Sequence, residues 1–227
     1  ADNRPLGPGF AFQIDATETD TQLVNSILRE RPIGRANHYF TTDAFSAAIA
    51  GIHVALESPS VLMVRQTLAN ASSSKVAFCK QLGIAIEEEE WPCHHFPSSL
   101  IADRGEVIAK SVDIVVDELQ LKVTNLPAYR PDWKPFVEGN FALANHVLHT
   151  LPGAVRRDDT PRKKDSRLEA VLDLFGITKV LAEFALYYNP HHILKNHPFD
   201  RFEIQSNVRP RPLDLWRWGV LHRSGAR

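Results

Sequence analysis

The chain has 227 residues, of which 44% are apolar and 23% charged, so it can bury a hydrophobic core and is not disordered by composition. No apolar run reaches the roughly 18 residues of a membrane span, and the first ten residues lack the basic-then-apolar pattern of an export signal, which predicts a cytoplasmic protein. Two cysteines, Cys79 and Cys93, are too few for a disulfide framework or a zinc ribbon.

The net charge of −1 hides an asymmetry along the chain. Residues 1–125 contain 10 Lys and Arg against 16 Asp and Glu, a net of −6, whereas residues 126–227 contain 16 against 11, a net of +5. An acidic half joined to a basic half is a pattern found in proteins that bind nucleic acid through one part only. The near-neutral total therefore does not exclude DNA as a partner.

The first part of the chain is predicted to form strands followed by a helix. Alternating or β-branched runs predict strands at 10–16, 21–28, 36–42 and 47–56, although the last run is Ala-rich and compatible with a helix. Ser58-Pro59-Ser60 predicts a helix start, and apolar residues at helical spacing extend that helix to about residue 82.

Strands and helices alternate after this helix. The short apolar run Ser99-Leu100-Ile101-Ala102 suits a buried central strand. A helix is predicted over 109–119, a strand over 120–124, and a further helix from Lys134 to about residue 151. The order β-β-β(-β)-α-β-α-β-α predicts an α/β fold.

Three acids stand out in this order. Asp15 closes the first predicted strand, Asp103 follows the short buried strand, and Glu138 lies 35 positions later in the helix that starts at Lys134. If the two strands are neighbours, the two aspartates lie side by side at the carboxyl edge of the sheet. The alternatives are ordinary: a strand-end Asp is commonly a turn or cap residue, and Glu138 is placed for a helix ion pair with Lys134.

Three carboxylates packed together repel one another strongly unless a counter-charge is present. Mg²⁺ supplies such a charge and prefers carboxylate, water and phosphate oxygens as ligands. Two such ions, roughly 3.5–4 Å apart, activate the attacking oxygen and stabilise the leaving oxygen in an in-line displacement at phosphorus. The set of acids therefore predicts phosphodiester chemistry.

The segments around these acids resemble the three signature motifs of DDE transposases and retroviral-type integrases, and the spacing of the last two is familiar from that superfamily. Residues 50–54 (Ala-Gly-Ile-His-Val) and 57–60 (Glu-Ser-Pro-Ser) are similar to the branch that contains Mu-type transposases. The three segments are Phe-Gln-Ile-Asp15-Ala-Thr, Leu-Ile-Ala-Asp103-Arg-Gly-Glu and Tyr129-Arg-Pro-Asp-Trp-Lys-Pro-Phe-Val-Glu138-Gly.

The resemblance implies an RNase H-like fold, which is a mixed five-stranded sheet flanked by helices, here with a C-terminal helical extension. It implies that Asp15, Asp103 and Glu138 hold two Mg²⁺ ions, for which Mn²⁺ can substitute. Such enzymes hydrolyse the strand at the transposon 3′ end and then join the freed 3′ hydroxyl to target DNA.

The resemblance also implies partners. These are transposon-end and target DNA, further copies of the same chain on that DNA, an endonuclease subunit that cuts the 5′ strand, and an ATPase that chooses the target. No membrane partner is expected, and the protein is expected at the bacterial nucleoid.

The predicted organisation has four parts. Residues 1–152 form the RNase H-like catalytic core, 153–167 a charged linker, 168–189 an amphipathic helix and 190–227 an irregular segment. Residues 211–219 are similar to the lead-in to a C-terminal barrel in the family. The chain is therefore expected to be the catalytic-core fragment of a longer protein.

Several basic residues are candidates for phosphate contact. Arg104 follows a candidate ligand, Arg130 and Lys134 flank the start of the Glu138 helix, and a basic run lies in the predicted linker. A local ion pair for Arg104, and solvated charge for the others, are equally compatible with the sequence. The candidates in the linker are Arg162, Lys163 and Lys164.

Two other functions stay open at this point. An RNase H-like nuclease, such as a junction resolvase, would hydrolyse DNA without joining strands. A catalytically silent DNA-binding scaffold would use the three acids only structurally.

Overall fold

The structure is a computed structural model that describes residues 6–102, 106–120, 134–155 and 165–223, without the side chains of 102, 106–109 and 134–138. Within these residues the chain forms one four-stranded mixed sheet in the order β3-β2-β1-β4. Its strands are β1 (Ala11–Val24), β2 (Pro32–Asp43), β3 (Ile49–Ala55) and β4 (Ser99–Ala102).

Seven α-helices are present in the described ranges, with a short 3₁₀ turn at Glu88–Glu90. They are α1 (Val61–Ser72), α2 (Lys75–Gln81), α3 (Glu106–Glu118), α4 (Lys134–Leu148), α5 (Leu174–His191), α6 (Arg201–Gln205) and α7 (Pro212–His222).

The strand directions match the RNase H-like fold. β1, β2 and β3 form an antiparallel meander, and β4 joins the other edge of β1 in parallel after the crossover through α1 and α2. This confirms the predicted mixed sheet flanked by helices. The fifth predicted strand, at 120–124, lies outside the described residues except for Gln120, which is in a left-handed turn with φ 51° after α3.

β1 differs from its prediction. A single 14-residue strand replaces the two predicted strands at 10–16 and 21–28, because the pairing with β2 continues through an irregularity between Glu18 and Gln22. Between these two pairs β1 advances by four residues, from Glu18 to Gln22, whereas β2 advances by only two, from Asn37 to Arg35. Such a bulge twists the strand without ending it.

Helices cover both faces of the sheet. Phe40 of β2 stacks on Phe141 of α4, with ring centroids 5.0 Å apart, and on Phe184 of α5 at 6.1 Å. Gly51 of β3 lies against α1 on the other face, where an added Cβ would be 2.7 Å from the Cβ of Ala71. A larger side chain at position 51 would therefore separate α1 from the sheet.

The helix predicted from about residue 60 to 82 is interrupted. Ser73 donates from its hydroxyl to the carbonyl of Ala69 (2.6 Å), which competes with continued helical bonding and helps to end α1. The buried Lys75 donates from Nζ to the carbonyls of Asn70 (2.6 Å) and Ser73 (2.7 Å). Burial lowers the pKa of Lys75 to about 8, so this ammonium still caps α1 at neutral pH.

The predicted linker begins on the sheet edge. Gly153 and Val155 bond to the backbone of β1, through Gln22 N–H to Gly153 O and Val155 N–H to Asp20 O, both 2.8 Å. Gly153 has φ 82° and lies so close to Ala170 that a Cβ there would approach its Cα to 2.8 Å. The unpaired groups of the β1 bulge thus hold the first three linker residues.

The amphipathic helix starts later than predicted. α5 spans Leu174–His191 and not 168–189, because Asp173 caps it by accepting from the Gly176 amide (2.7 Å). Before this cap the chain runs beside β1, where the Val24 amide donates to Leu172 O (2.8 Å).

The prediction of an irregular segment over 190–227 is wrong in its described part, because α6 and α7 form there. α7 begins with Pro212 in its first turn, a position that proline favours. Its Trp216 is 1% exposed and contacts Phe12 of β1, with ring centroids 6.4 Å apart. Phe45 and Trp218 stack at the same distance, so the C-terminal segment belongs to the core.

The sequence predicts a core that includes Phe12, Ile14, Leu23, Ile52, Val54, Leu100, Ile101, Val123, Val137 and Phe141, and the structure confirms most of these residues. Those that are buried share one cluster with Trp216, which joins both halves of the chain. Ile101 is half-buried, whereas Val123 and the side chain of Val137 lie outside the described residues. The confirmed residues are Phe12, Ile14, Leu23, Ile52, Val54, Leu100 and Phe141. Among the described helices, none combines the length and apolarity that crossing a membrane demands.

Candidate active site

Asp15 lies inside β1 and not at its end, which corrects the prediction. Within the described residues β4 pairs with the segment from Ala11 to Ile14, so Asp15 directly follows the last described parallel pair. The carboxylate is half-buried, and its Oδ1 accepts a hydrogen bond from the Ala16 amide (2.7 Å). Asp15 therefore lies one residue beyond the described parallel pairing, although its own strand continues.

The register brings the two aspartate segments together. Ile14 pairs with Ala102, and these residues directly precede Asp15 and Asp103 in the sequence. Asp103 itself lies outside the described residues. The described pairing ends on neighbouring strands one residue before each predicted acid.

α4 carries position 138 in its first two turns. Its side chain is outside the described part, but the backbone position is fixed by residues that follow it. Asn140 donates from Nδ2 to Oγ1 of Thr42 (3.3 Å) on β2. Phe141, three residues after Glu138, stacks on Phe40, which pairs directly with Asp15 across β1 and β2.

The far end of α4 is also held by β1. Oγ1 of Thr21 donates to the carbonyl of Leu148 (3.4 Å), the last residue of α4. Residues opposite each other in an antiparallel pair share a face, so Asp15 shares the face of Phe40, on which α4 packs. α4 is thus anchored at two points on the face that carries Asp15.

His38 extends the apolar floor below α4. Its ring lies 5.2 Å from that of Phe40 and 5.1 Å from that of Phe141, and neither ring nitrogen has a hydrogen-bond partner among the described atoms. Burial lowers the pKa of His38 to about 3, so the ring is neutral at physiological pH. His38 therefore supplies no positive charge that could offset the negative charge of the three acids.

The basic candidates cannot be located in the same way. Arg104, Arg130, Arg162, Lys163 and Lys164 lie outside the described residues. Lys134 is the first residue of α4, but its side chain is outside that description too.

The donor set suits a hard divalent ion. Carboxylate oxygens are the ligands that Mg²⁺ and Mn²⁺ accept, and Asp15 supplies a half-buried carboxylate. No cluster of three or more His, Cys, Asp or Glu side chains able to hold a metal occurs within the described part of the chain, which excludes Asp103 and the Glu138 side chain.

Asn140 is a positioning residue that the sequence analysis missed. It is 1% exposed and ties α4 to β2 two residues after Glu138. A signal was present: Asn140 is a polar residue four positions before Ala144, and so it lies on the helix face that the apolar spacing marks as buried.

Comparison with known proteins identifies the family of the chain. A family model described as the TnsB C-terminal domain matches residues 13–153, which is more than half of the chain. The chain belongs to the TnsB family. It is 34% identical over 229 aligned residues to the transposon Tn7 transposition protein TnsB of Escherichia coli. The alignment covers all of this chain and 32% of that relative, so the chain spans about a third of the length of this TnsB protein.

Solved catalytic cores show weaker likeness to this TnsB-family chain. The catalytic core domain of BIV integrase is 11% identical, with a TM-score of 0.39, over 94% of this chain and 97% of that one. The catalytic domain of Mos1 mariner transposase is 18% identical, with a TM-score of 0.36, over 78% and 79%. A chain of the simian T-cell lymphotropic virus intasome with PP2A regulatory subunit B56 gamma is 17% identical, with a TM-score of 0.40, over 88% and 55%.

Proposed function

We propose that this chain is the catalytic domain of a DDE transposase that cleaves DNA at the transposon 3′ ends and joins the 3′ hydroxyls to target DNA. Membership of the TnsB family supports this function. The single structural observation that carries it is the register of β1 and β4, in which Ile14 pairs with Ala102, the two residues that directly precede Asp15 and Asp103 in the sequence.

Asp15, Asp103 and Glu138 hold the divalent ions in this proposal. When bound, two Mg²⁺ ions (or Mn²⁺) supply activation of the attacking oxygen and stabilisation of the leaving oxygen at phosphorus. The chain itself holds the acids in place. β1 fixes the position of Asp15, and the hydrogen bonds of Asn140 to Thr42 and of Thr21 to Leu148 fix the position of α4 on the sheet. Such placement is what an in-line displacement requires.

Two displacements use the same site. In the first, water attacks the phosphodiester at the transposon 3′ end and leaves a free 3′ hydroxyl. In the second, that hydroxyl attacks a phosphodiester of target DNA and displaces a 3′ oxygen of the target strand. The number of phosphodiester bonds is conserved in the second step, so joining needs no external energy source.

DNA contact and assembly are also part of the proposal. Arg104, Arg130, Lys134, Arg162, Lys163 and Lys164 are candidates for phosphate contacts. Several copies act together on the two transposon ends, with an endonuclease subunit for the 5′ strand and an ATPase regulator for the target. This reaction takes place on bacterial DNA in the cytoplasm, at the nucleoid.

The joining assay separates this function from its rivals. The full-length protein is incubated with labelled end DNA that carries a pre-cut 3′ hydroxyl, together with target plasmid and Mg²⁺. We expect label to become covalently attached to the plasmid, and we expect none with EDTA. Hydrolysis without joining would favour a resolvase-like nuclease, and binding without either reaction would favour a scaffold.

A further inference from the structure

A groove of about 620 Å³ lies beside the catalytic helix, between α4 and the segment that follows α5. Gly139 and Asn140 of α4 form one side, directly after position 138. Ala142 also lines it and shares a helix face with position 138, since residues four apart on an α-helix are neighbours. The groove therefore opens next to the proposed site.

The opposite wall is held in place. Leu194 is 4% exposed, packs with Leu215 and Ala47, and donates from its amide to Pro210 O (2.8 Å). The ring of His192 stacks on Tyr188 with centroids 4.6 Å apart. Because these contacts fix the segment, the groove is a preformed feature of the fold.

The lining has three chemical parts. Leu143 and Ile193 present apolar side chains that are 38% and 54% exposed. Asn140 is buried at the floor, where its amide bonds to Thr42 and to the phenol of Tyr188. Lys195 and Asn196 are exposed on the rim, and Lys195 forms no ion pair with any described residue.

This lining matches the parts of a nucleotide. Apolar side chains can contact the faces of a base, the exposed amide of Asn196 can bond to its edge, and a lysine can bind its phosphate. A volume of about 620 Å³ also falls in the range of roughly 300–1,000 Å³ that is usual for sites of small ligands. The faces of a base in a duplex are covered by the neighbouring bases. Only an unstacked base could therefore place a face against the apolar side chains of the groove.

We propose that this groove receives one unstacked nucleotide of the DNA substrate, adjacent to the phosphodiester that reacts, with Lys195 on its phosphate. The inference rests on the proposed function, because DNA reaches the groove only if α4 lies at the catalytic site. It adds a subsite that holds the DNA strand in register with the three acids.

The test uses the full-length protein and end DNA with 2-aminopurine at successive positions, without divalent metal so that the DNA stays uncut. We expect the fluorescence of 2-aminopurine to increase at one position when the protein binds, because the base at that position leaves the stack. Lys195→Glu and Ile193→Asp should each reduce that brightening by most of its amplitude, and Lys195→Glu should weaken DNA binding by about tenfold. Lys80→Glu is the matched control, since Lys80 is exposed on α2 outside the groove.

Melting temperatures check that each variant folds. If bound DNA brightens at no position, or if brightening persists in both groove variants, the subsite is wrong. Joining of a pre-cut end in Mg²⁺ is measured in parallel on the unmutated protein. If DNA is joined but no 2-aminopurine brightens, the nucleotide subsite is wrong and the proposed function stands. If a position brightens but no DNA is joined, the proposed function is wrong. If neither is seen, both proposals are wrong.

Discussion

Replacing Asp15 by Asn is expected to lower both DNA cleavage and joining on the order of 10³-fold, while the protein stays folded. Asn has the same shape but lacks the negative charge, and loss of one preorganised electrostatic group in a catalytic site costs roughly 10²–10³-fold. Asp103→Asn and Glu138→Gln should act in the same way. The measurement is the rate of plasmid joining by the full-length protein.

Glu18→Gln is the control for this prediction. Glu18 lies on the same strand, three residues from Asp15, where its carboxylate pairs with Arg35 and is exposed. Since surface ion pairs contribute about 0–1 kcal/mol, this change should leave joining nearly unaltered. Equal rates for Asp15→Asn and Glu18→Gln would show that Asp15 has only a structural role.

Trp216→Ala is expected to destabilise the protein by about 3–5 kcal/mol, as is usual when a buried tryptophan is truncated. Trp216 is 1% exposed and touches Phe12 of β1 and the ring of His95, at 5.3 Å between centroids. For a chain of this size the melting temperature should fall on the order of 10 °C. Thermal unfolding followed by circular dichroism measures this change.

Leu221→Ala provides the comparison within the same helix. Leu221 is 79% exposed, so its truncation should change the free energy of unfolding by no more than about 0.5 kcal/mol. If Trp216→Ala were equally mild, α7 would be an appendage and not part of the core that supports β1.

The sequence identified the strands and helices whose pattern is local. Alternating residues predicted β2 and β3, and Ser99-Leu100-Ile101-Ala102 predicted β4 with its exact bounds as a short buried strand. It misplaced Asp15 at a strand end because β1 continues past this residue through its pairing with β2, which a local pattern does not reveal. The register still places the two segments side by side, since Ile14 pairs with Ala102, while Asp103 itself lies outside the described residues.

The last 38 residues, 190–227, were harder to predict because their composition favours an irregular segment whereas the spacing of their apolar residues favours a helix. Pro, His and Arg are frequent there and favoured an irregular segment, whereas Leu215, Trp216 and Gly219 follow the buried face of α7. Burial against Phe12 and Phe45 stabilises this helix, and such tertiary contacts are invisible to a local reading. The groove beside α4 was missed for the same reason, since residues 139–143 and 192–196 meet only in the fold.

We propose that Asp15, Asp103 and Glu138 meet around divalent metal. Metal-directed cleavage of the protein backbone tests this proposal most directly. Fe²⁺ replaces Mg²⁺ in the protein bound to end DNA, and ascorbate with peroxide then generates hydroxyl radicals at the metal. We expect three sets of cuts, near residues 15, 103 and 138, which excess Mg²⁺ suppresses together and which Asp15→Asn weakens together. Cuts confined to one of these positions, or lying elsewhere, would contradict it.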